Sequence, residues 1–361
     1  RTQIALFPDR PDPYYNLACA LSLQGEKGQA LANLGTAVEK GFEDADHIER
    51  DHDLAALRDD KRFAETVAKA RAKQDPRKAE LDGHYLEMVR LREEGYCAQA
   101  LPHAEKAAEL AASLFSQEHT TLAIFLGNLG LLYMDAGQYG KSEPLLQRAL
   151  ALGEKQLGAQ HPEVAGALND LARLYSRMGR YAEAESLYRR SLALREEKLG
   201  PEHPLVAKSV NNLGVLYRQM GLYAKAEALF RRNLEMEERR VGPEHPDVGI
   251  DLCNLGVLYH DMGRHAQAEL LLRRSLAICE KHRGPEHPEV AGTLNNLATL
   301  YGDMGEYGKA EMLLQRSLEI GQKKHGAEHP AVANSLNNLA ALYHDMGQHQ
   351  KAGGLYERSL V

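Results

Sequence analysis

Histidine is the residue type in this chain that most invites a chemical role, because imidazole is the commonest protein ligand for metals. The sequence contains sixteen histidines. Five of them begin a His-Pro dipeptide at intervals of 42 residues, namely His161, His203, His245, His287 and His329. Equivalent positions in stacked helix pairs lie roughly 10 Å apart, whereas zinc ligands lie within about 2.1 Å of one ion. The series therefore cannot form one metal site, and we interpret each histidine as a residue at the start of a helix.

Two further histidine pairs, His260 with His265 and His344 with His349, are each separated by five positions and by a glycine. That spacing does not place both rings on one face of a helix. We predict no metal site at either pair.

The motifs of nucleophilic and phosphate-transfer enzymes do not occur in the sequence. There is neither a Gly-x-Ser-x-Gly elbow nor a Gly-x-x-x-x-Gly-Lys-Ser/Thr loop. Cys253 and Cys279 fall within predicted helices, where thiols are usually inert packing groups. We therefore expect a protein that is not an enzyme and that needs no cofactor.

Composition narrows the class of partner. The net charge of −7 argues against nucleic-acid binding, which usually requires a basic face. The longest apolar stretch, 122–134, is interrupted by Gly127 and Asn128 and is too short to span a bilayer. The four cysteines show no CxxC spacing, which indicates a reducing compartment. We expect a cytoplasmic protein with no nucleic-acid and no membrane partner.

The 42-residue interval is a property of the whole sequence from about residue 81 onwards. It recurs in the tyrosines 133, 175, 217, 259, 301 and 343 and in the glycines 137, 179, 221, 263, 305 and 347. We number the repeats 1 to 7, with position 1 of each at Leu81, Ala123, Ala165, Ala207, Gly249, Ala291 and Ala333. Repeat 1 is degenerate, because Leu91 replaces the tyrosine, and repeat 7 is incomplete. Three markers with one period predict a tandem array.

Each repeat is predicted to form two helices. In repeat 4, Pro204 suits the first turn of a helix, and Gly221 suits a left-handed helix end. A second helix is predicted from Tyr223 to about Arg240. Gly214 and Ala226 are small enough to let helix backbones approach closely. Since one such pair cannot bury its apolar face alone, we predict an all-α array of stacked antiparallel helix pairs.

The pattern Leu-Gly/Ala-x-x-Tyr, then Gly, then Ala nine residues after the tyrosine, is similar to the tetratricopeptide repeat. The 42-residue unit, with its Asn-Asn-Leu-Ala/Gly-x-Leu-Tyr motif and its closing Gly-Pro-Glu-His-Pro, resembles the repeats of kinesin light chains and their bacterial relatives. The resemblance covers about residues 81–361. It implies a right-handed α-α superhelix whose first helices line a concave groove, with repeat positions 2, 5, 9, 12 and 13 facing that groove.

Residues 1–75 form a separate block that fits one more tetratricopeptide unit followed by capping helices. The segment 51–63, with Leu54, Leu57 and Phe63 as its apolar residues, resembles a segment that often closes such arrays. We place the array itself at 76–361. The absence of an initiator methionine and the end of the sequence within a helical pattern favour a fragment of a longer protein.

Asparagine recurs at two adjacent groove positions. Position 5 carries Asn169, Asn211, Cys253, Asn295 and Asn337, and position 6 carries Asn128, Asp170, Asn212, Asn254, Asn296 and Asn338. A side-chain amide offers both a donor and an acceptor to the main chain of an extended peptide, and the resemblance implies the same role. For position 5 we favour peptide binding. For position 6, a hydrogen bond to the adjacent repeat is an equally weighted interpretation.

Charged residues vary along the predicted groove. A basic middle consists of Arg173, Arg177, Lys208 and Arg218, and an acidic C-terminal half consists of Asp261, Asp303 and Asp345. We predict a polarised groove with the acidic part of its ligand near Arg177 and Arg218.

Arginine pairs also recur on the second helices, at 189–190, 231–232 and 273–274. They form either a basic stripe for acidic partners or a solvated outer face paired with nearby glutamates such as Glu196, Glu237 and Glu238. We favour the paired outer face.

The function that these features favour is a protein-interaction scaffold that binds an extended peptide or a partner domain. The alternative is a sensor or regulatory arm of a bacterial multidomain signalling protein whose effector domain lies outside the fragment. Self-association is a further expectation, because Leu355, Tyr356 and Leu360 would leave an apolar end on the incomplete last repeat.

Overall fold

The computed structural model describes residues 10–73, 75–116, 119–326 and 329–359, and every regular element within these ranges is a helix. The chain divides into two compact units, Arg1–Gly83 and His84–Val361. The boundary falls within the helix Pro76–Glu93, whereas the sequence suggested a boundary near residue 75. Among the described residues, no helix has the length and hydropathy required to cross a membrane.

The first unit contains a helix pair and a closing segment. Its elements are Asp12–Leu23, Lys27–Glu39, Ala45–Arg50, the 3-10 helix His52–Leu57 and Lys61–Lys73. Leu54, Leu57 and Phe63 are buried, as predicted for the closing segment. Asp51 fixes the start of the 3-10 helix, because its carboxylate accepts hydrogen bonds from the backbone N–H of Asp53 (2.9 Å) and from Tyr15 Oη (2.5 Å).

The second unit is the array of helix pairs that the period predicts. The first helices are Pro76–Glu93, Thr120–Asp135, Val164–Arg177, Pro204–Gln219, Pro246–Asp261, Pro288–Asp303 and Pro330–Asp345. The second helices are Cys97–Leu114, Tyr139–Leu157, Tyr181–Leu199, Tyr223–Val241, His265–Arg283, Tyr307–His325 and His349–Ser359. The fold is a right-handed α-α superhelix of the tetratricopeptide type, as predicted.

The repeated histidines start the first helices. Nδ1 of His203 accepts the backbone N–H of Leu205 at 3.1 Å and so caps a helix that begins at Pro204. The same bond to the residue two positions ahead is made by His119, His161, His245 and His287. The interpretation as helix-start residues is therefore confirmed for His119, His203, His245 and His287, each of which is an N-cap residue. His161 instead lies two residues before the N-cap residue Glu163.

Small residues let the two helices of each repeat touch. In repeat 4, a Cβ added to Gly214 would lie 2.7 Å from Cε1 of Phe230, which is closer than real Cβ contacts. Ala226 and Phe230 are fully or almost fully buried in the same interface. Close approach is therefore required at Gly214, as the sequence indicated.

The tyrosines that recur every 42 residues join each repeat to the preceding one. Tyr217 is buried, and its Oη donates to Glu185 of repeat 3 at 2.8 Å. Tyr259, Tyr301 and Tyr343 make the equivalent bond to the glutamate 32 residues earlier. One hydrophobic core, which includes these tyrosines, runs from Leu131 to Ala352. Repeats 2 to 7 therefore share this core, and smaller clusters lie beside it at single repeat junctions.

The left-handed glycine that ends the first helix of repeat 4 generates a stability prediction. Gly221 has φ +71°, and the next backbone N–H, that of Leu222, bonds Tyr217 O at 2.8 Å. A Cβ is unfavourable at this φ, so we expect Gly221→Ala to lower the free energy of unfolding by about 1 kcal/mol. Gly308→Ala, at the exposed second residue of the helix Tyr307–His325 with no atom near its Cβ, should instead be neutral or stabilising. Urea unfolding midpoints test this, and equal effects of the two changes would contradict it.

A buried carboxyl between repeats 4 and 5 generates a pH prediction. Asn233 Nδ2 donates to Asp251 Oδ1 at 2.7 Å, and both residues are buried. Burial raises the pKa of Asp251 to about 7, against the effect of the Asn233 hydrogen bond. This pKa exceeds the value of about 3.9 in an unfolded chain, so protonation of Asp251 favours the folded state. That contribution to stability is complete below about pH 4 and is lost as the pH rises through 7.

We therefore expect Asp251→Asn to raise the thermal midpoint relative to the wild type at pH 8, and by much less at pH 5. The exposed Asp59 provides the control, because Asp59→Asn should change the midpoint little at either pH. A difference for Asp251→Asn that does not vary with pH would refute the expectation.

Candidate functional site

The inner face of the array is formed by the first helices. From repeat 2 to repeat 7, first helices of consecutive repeats contact each other directly. Consecutive second helices are bridged by long side chains, for example by an ion pair between Arg232 and Glu196 at 2.5 Å. Closer approach of the first helices places them on the inside of the superhelical curve. We call the line of positions 2, 5, 6, 9, 12 and 13 along these helices the first-helix stripe.

The asparagines of the first-helix stripe bond to one another across repeat boundaries. Asn212 Nδ2 donates to Asn169 Oδ1 at 2.7 Å, and Asn254 Nδ2 donates to Asn211 Oδ1 at 2.8 Å. We call each bond from position 6 to position 5 of the preceding repeat a rung. The next rung, from Asn296 Nδ2 to Cys253 Sγ at 3.1 Å, has a thiol as acceptor. Position 6 therefore links adjacent repeats, which was one of its two interpretations.

Each rung uses only half of the hydrogen-bonding groups of its two amides. The position 5 amide contributes its oxygen and the position 6 amide contributes its NH₂ group. The rung between Asn169 and Asn212 thus leaves the NH₂ of Asn169 and the oxygen of Asn212 for other partners. Asn169 is buried, and Asn212 is half-buried. Stacking of the repeats and binding of a peptide are therefore compatible at these positions.

The ladder of rungs is interrupted at both ends. Asn295 Oδ1 is buried and has no partner among the described residues. Asn337 accepts a hydrogen bond from Ser359 of its own repeat at 2.7 Å, and Asn338 is exposed. Towards the N-terminus, position 5 of repeat 2 is Gly127, which has no side chain to accept a bond from Asp170.

A second ladder lies at the ends of the first helices. Position 12 of one repeat bonds position 13 of the next in three consecutive cases. The pairs are Ser176 with Gln219 (2.6 Å), Arg218 with Asp261 (3.0 Å) and His260 with Asp303 (2.6 Å). This ladder was not predicted from the sequence. Its signal is a set of complementary side chains 43 residues apart, which is the period plus one.

The predicted charged residues divide into paired and unpaired groups. Arg218 and Asp261 pair with each other, Asp303 pairs with His260, and Arg177 pairs with Asp135 at 3.2 Å. Arg173 has a buried Nε with no acceptor among the described residues, and the exposed Lys208 makes no ion pair with them. The structure therefore brings together Arg218 and Asp261, which the sequence analysis had placed in opposite halves of the groove.

The arginine pairs of the second helices are occupied on the outer face. Arg190, Arg232 and Arg274 bond glutamates of the preceding repeat, namely Glu154, Glu196 and Glu238. Their neighbours Arg189, Arg231 and Arg273 lie beside glutamates of their own helix, Glu185, Glu227 and Glu269. The prediction of a paired outer face is confirmed for Glu196 and Glu238. It is wrong for Glu237, which is buried and pairs with Arg240 of its own helix.

A contact joins the two ends of the described array. Nε2 of His329, before the first helix of repeat 7, lies 2.6 Å from the backbone oxygen of Glu94 in repeat 1. The ring of His329 also meets Tyr96 edge-on, with centroids 4.8 Å apart. A Cβ on Gly95 would lie 2.9 Å from this ring. The second unit therefore curves through about one superhelical turn between repeats 1 and 7.

One group in the first unit has the composition of a metal site. The ligand atoms of Cys19, Asp51 and Asp53 lie within 4.8 Å of one another. Asp51 already accepts hydrogen bonds from Tyr15, Cys19 and the Asp53 backbone. Burial raises the pKa of the Cys19 thiol to about 12, which disfavours the thiolate that binds metal. The geometry is that of a helix cap.

Leu355 and Tyr356, two residues of the predicted apolar end, are half-buried and exposed respectively. Leu360 lies outside the described residues.

Comparisons with known proteins agree with this architecture. The family model described as Tetratricopeptide repeat matches residues 120–197, 167–236, 205–281 and 289–360. A search of curated proteins found no match.

Several solved structures are similar to the chain. Kinesin light chain nearly identical TPR-like repeats from Podosopora anserina are 29% identical, with 55% of this chain and 94% of that chain covered and a TM-score of 0.46. BtubC (BKLC) from P. vanneervenii is 25% identical, with 70% and 94% covered and a TM-score of 0.49. A Rap protein complexed with Competence and Sporulation Factor is 14% identical, with 97% and 96% covered and a TM-score of 0.59. At that identity, the Rap protein shows the fold alone.

The rung between Asn169 and Asn212 generates a prediction about stacking. Removal of either amide by substitution with Ala should destabilise the array, and the double substitution should cost less than the sum. We expect a coupling energy of about 1 kcal/mol in urea unfolding, typical of one intramolecular hydrogen bond. Asn169 and Asn254, which share no rung, serve as the uncoupled control pair. Additive effects of the Asn169 and Asn212 substitutions would show that the bond does not stabilise the stack.

Proposed function

The chain belongs to the tetratricopeptide repeat family, and from that premise we propose that the first-helix stripe of repeats 3 to 6 binds an extended segment of a partner protein. The observation that carries the proposal is the rung. The two amide–amide rungs, Asn169 with Asn212 and Asn211 with Asn254, each offer one amide donor and one amide oxygen, and a peptide main chain needs both.

The spacing of the rungs suits an extended chain. Neighbouring repeats lie roughly 10 Å apart, and an extended chain advances about 3.3 Å per residue. Successive rungs would therefore meet main-chain groups about three residues apart. Recognition of this kind holds the backbone and leaves the ligand's side chains to meet positions 2 and 9.

Two buried polar atoms of the first-helix stripe support the same proposal. Asn295 Oδ1 and Arg173 Nε have no partner among the described residues, although buried polar groups in native proteins are usually paired. A bound segment that donates to Asn295 and accepts from Arg173 would satisfy both.

The unpaired charges favour a position near repeats 3 and 4 for the acidic part of the ligand. Arg177 and Arg218 are bound to aspartates, so they contribute less than the sequence suggested. Arg173 and Lys208 retain capacity for a carboxylate. The proposed acidic contact therefore moves from Arg177 and Arg218 to Arg173 and Lys208.

A solenoid of this type is suited to holding another molecule. The Rap protein, whose fold this chain shares, is complexed with Competence and Sporulation Factor. We keep the wider role at the level of a protein-interaction scaffold. A regulatory arm of a multidomain signalling protein stays an alternative prediction.

Affinity capture with this chain, followed by mass spectrometry and by peptide mapping of the captured protein, tests the proposal. The mapped peptide is then titrated against the wild type and against the triple variant Asn169→Ala, Asn211→Ala and Asn295→Ala. At about 1 kcal/mol for each lost hydrogen bond, we expect roughly a 100-fold loss of affinity.

The matched control is the double variant Tyr259→Phe and Tyr301→Phe. It removes inter-repeat hydrogen bonds to Glu227 and Glu269 without altering the first-helix stripe. The control should therefore bind like the wild type. Equal affinity of the triple variant and the wild type would refute binding at the rungs.

A further inference from the structure

The rung is missing between repeats 2 and 3, and a cavity lies in its place. Position 5 of repeat 2 is Gly127 and position 6 of repeat 3 is Asp170, so no hydrogen bond between two side-chain amides can form here. The cavity has a volume of about 340 Å³, and its lining includes Gly127, Asn128, Gly153, Gly166 and Asp170. It opens beside Ile124, a residue of the first-helix stripe that is 56% exposed.

The cavity exists because three side chains are reduced to hydrogen at one junction. Gly127, Gly153 and Gly166 correspond to Asn169, Arg195 and Lys208 at the next junction, between repeats 3 and 4. Its walls are otherwise apolar, with Leu131, Leu146, Ala149 and Val164 among the lining residues.

The next junction contains a side chain where this junction has none. Arg195, the equivalent of Gly153, is only 6% exposed. Its Nη1 donates to Leu205 O at 3.0 Å and to Ser209 Oγ at 2.8 Å. The array therefore already accommodates one buried guanidinium between consecutive repeats.

The corresponding acceptors in the cavity are Glu163 O and a carboxyl group. Ser209 corresponds to Ala167, and Asp170 lies one helical turn further along the same helix; Glu163, Ala167 and Asp170 all line the cavity. Asp170 makes no hydrogen bond with the described residues. Burial raises its pKa, although Arg173, Lys208, Arg92 and Arg195 act in the opposite direction. The nearby cations thus do not compensate fully for the loss of water.

We infer that this cavity takes an arginine side chain of the bound partner, with the guanidinium at Asp170 and the aliphatic part against the apolar walls. This rests on the proposed function, since the arginine belongs to the extended segment that the rungs hold. The poorly solvated carboxyl of Asp170 and the internal precedent of Arg195 both favour this occupant, although Arg173, Lys208, Arg92 and Arg195 already act on that carboxyl. The cavity would then fix the position of the segment, which the amide–amide rungs alone do not, because Asn169 with Asn212 and Asn211 with Asn254 offer the same groups.

The first experiment fills the cavity from within the chain and needs no partner. A Cβ on Gly153 would lie 3.8 Å from Val164 Cγ2, an ordinary contact. Gly153→Arg should therefore raise the urea midpoint. The factor by which it lowers the unfolding equilibrium constant should be about tenfold larger when Asp170 is present than in an Asp170→Asn background. Gly153→Met, similar in length but uncharged, should show no such dependence. A destabilising Gly153→Arg, or the same effect in both backgrounds, would overturn the inference.

The second experiment uses a defined probe. A seven-residue peptide of alanine and serine with one central arginine, blocked at both ends, is added at millimolar concentration, and the amide NMR signals of Gly127, Gly153 and Gly166 are followed. We expect shifts with this peptide, none with the citrulline equivalent, and loss of the shifts in Asp170→Asn and Gly153→Arg. Equal shifts with both peptides, or none with either, would overturn the arginine assignment.

Failure of the inference and failure of the proposed function are distinguishable. If the triple asparagine variant loses the mapped partner while Asp170→Asn and Gly153→Arg keep it, the scaffold stands and the arginine site is wrong. If the asparagine variant keeps the partner, binding at the rungs is wrong, whatever the Gly153→Arg stability shows.

Discussion

A helix pair with one apolar face cannot cover that face without a neighbour, and the second unit depends on this constraint throughout. Each repeat supplies the missing cover for the one before it. The buried tyrosine is where this happens, since Tyr217 packs into a core shared by all the later repeats and its hydroxyl reaches back to Glu185. The outer arginines and the rungs add polar bonds across the same boundaries. Binding of a partner therefore depends on the polar groups that are not used in contacts between repeats.

The amide side chain is well suited to this double demand. A hydroxyl or a carboxylate at position 5 could support the next repeat, but it would leave less for a ligand. An asparagine bonded through its oxygen retains two N–H donors, as Asn169 and Asn211 do. Where another residue replaces the asparagine at position 5, both the bond to the next repeat and the groups left for a ligand change. Cys253 still accepts a bond from Asn296, with a weaker acceptor atom, and Gly127 offers no side chain at all.

The fold could be predicted almost completely from the sequence, because it is set by local rules that repeat. Pro204 and Gly221 each mark a helix boundary by their own conformational preference, and the helix between them runs from Pro204 to Gln219. The groove positions were harder to predict. The displacement between adjacent repeats determines which amide atoms remain without a partner. It also determines that Arg218 contacts Asp261.

That displacement amounts to one residue more than the period, and a pattern within a single repeat does not reveal it. For the same reason, the cavity at Gly127 could not be predicted from the pattern of one repeat. It requires three small residues from two different repeats to meet. A glycine viewed within its own repeat appears only as a break in the pattern.

The contact between His329 and the turn at Glu94 affects how the array loses its structure. In an open stack the end repeats have one neighbour each, so they fray first and unfolding proceeds inwards. Here the start of repeat 7 rests on repeat 1, and the hydrogen bond from His329 gives both a second neighbour. Fraying at either end must then break a bond that the other end also uses. The unfolding of repeats 1 and 7 is therefore coupled through this contact, although His329 and Glu94 are separated by 235 positions in the chain.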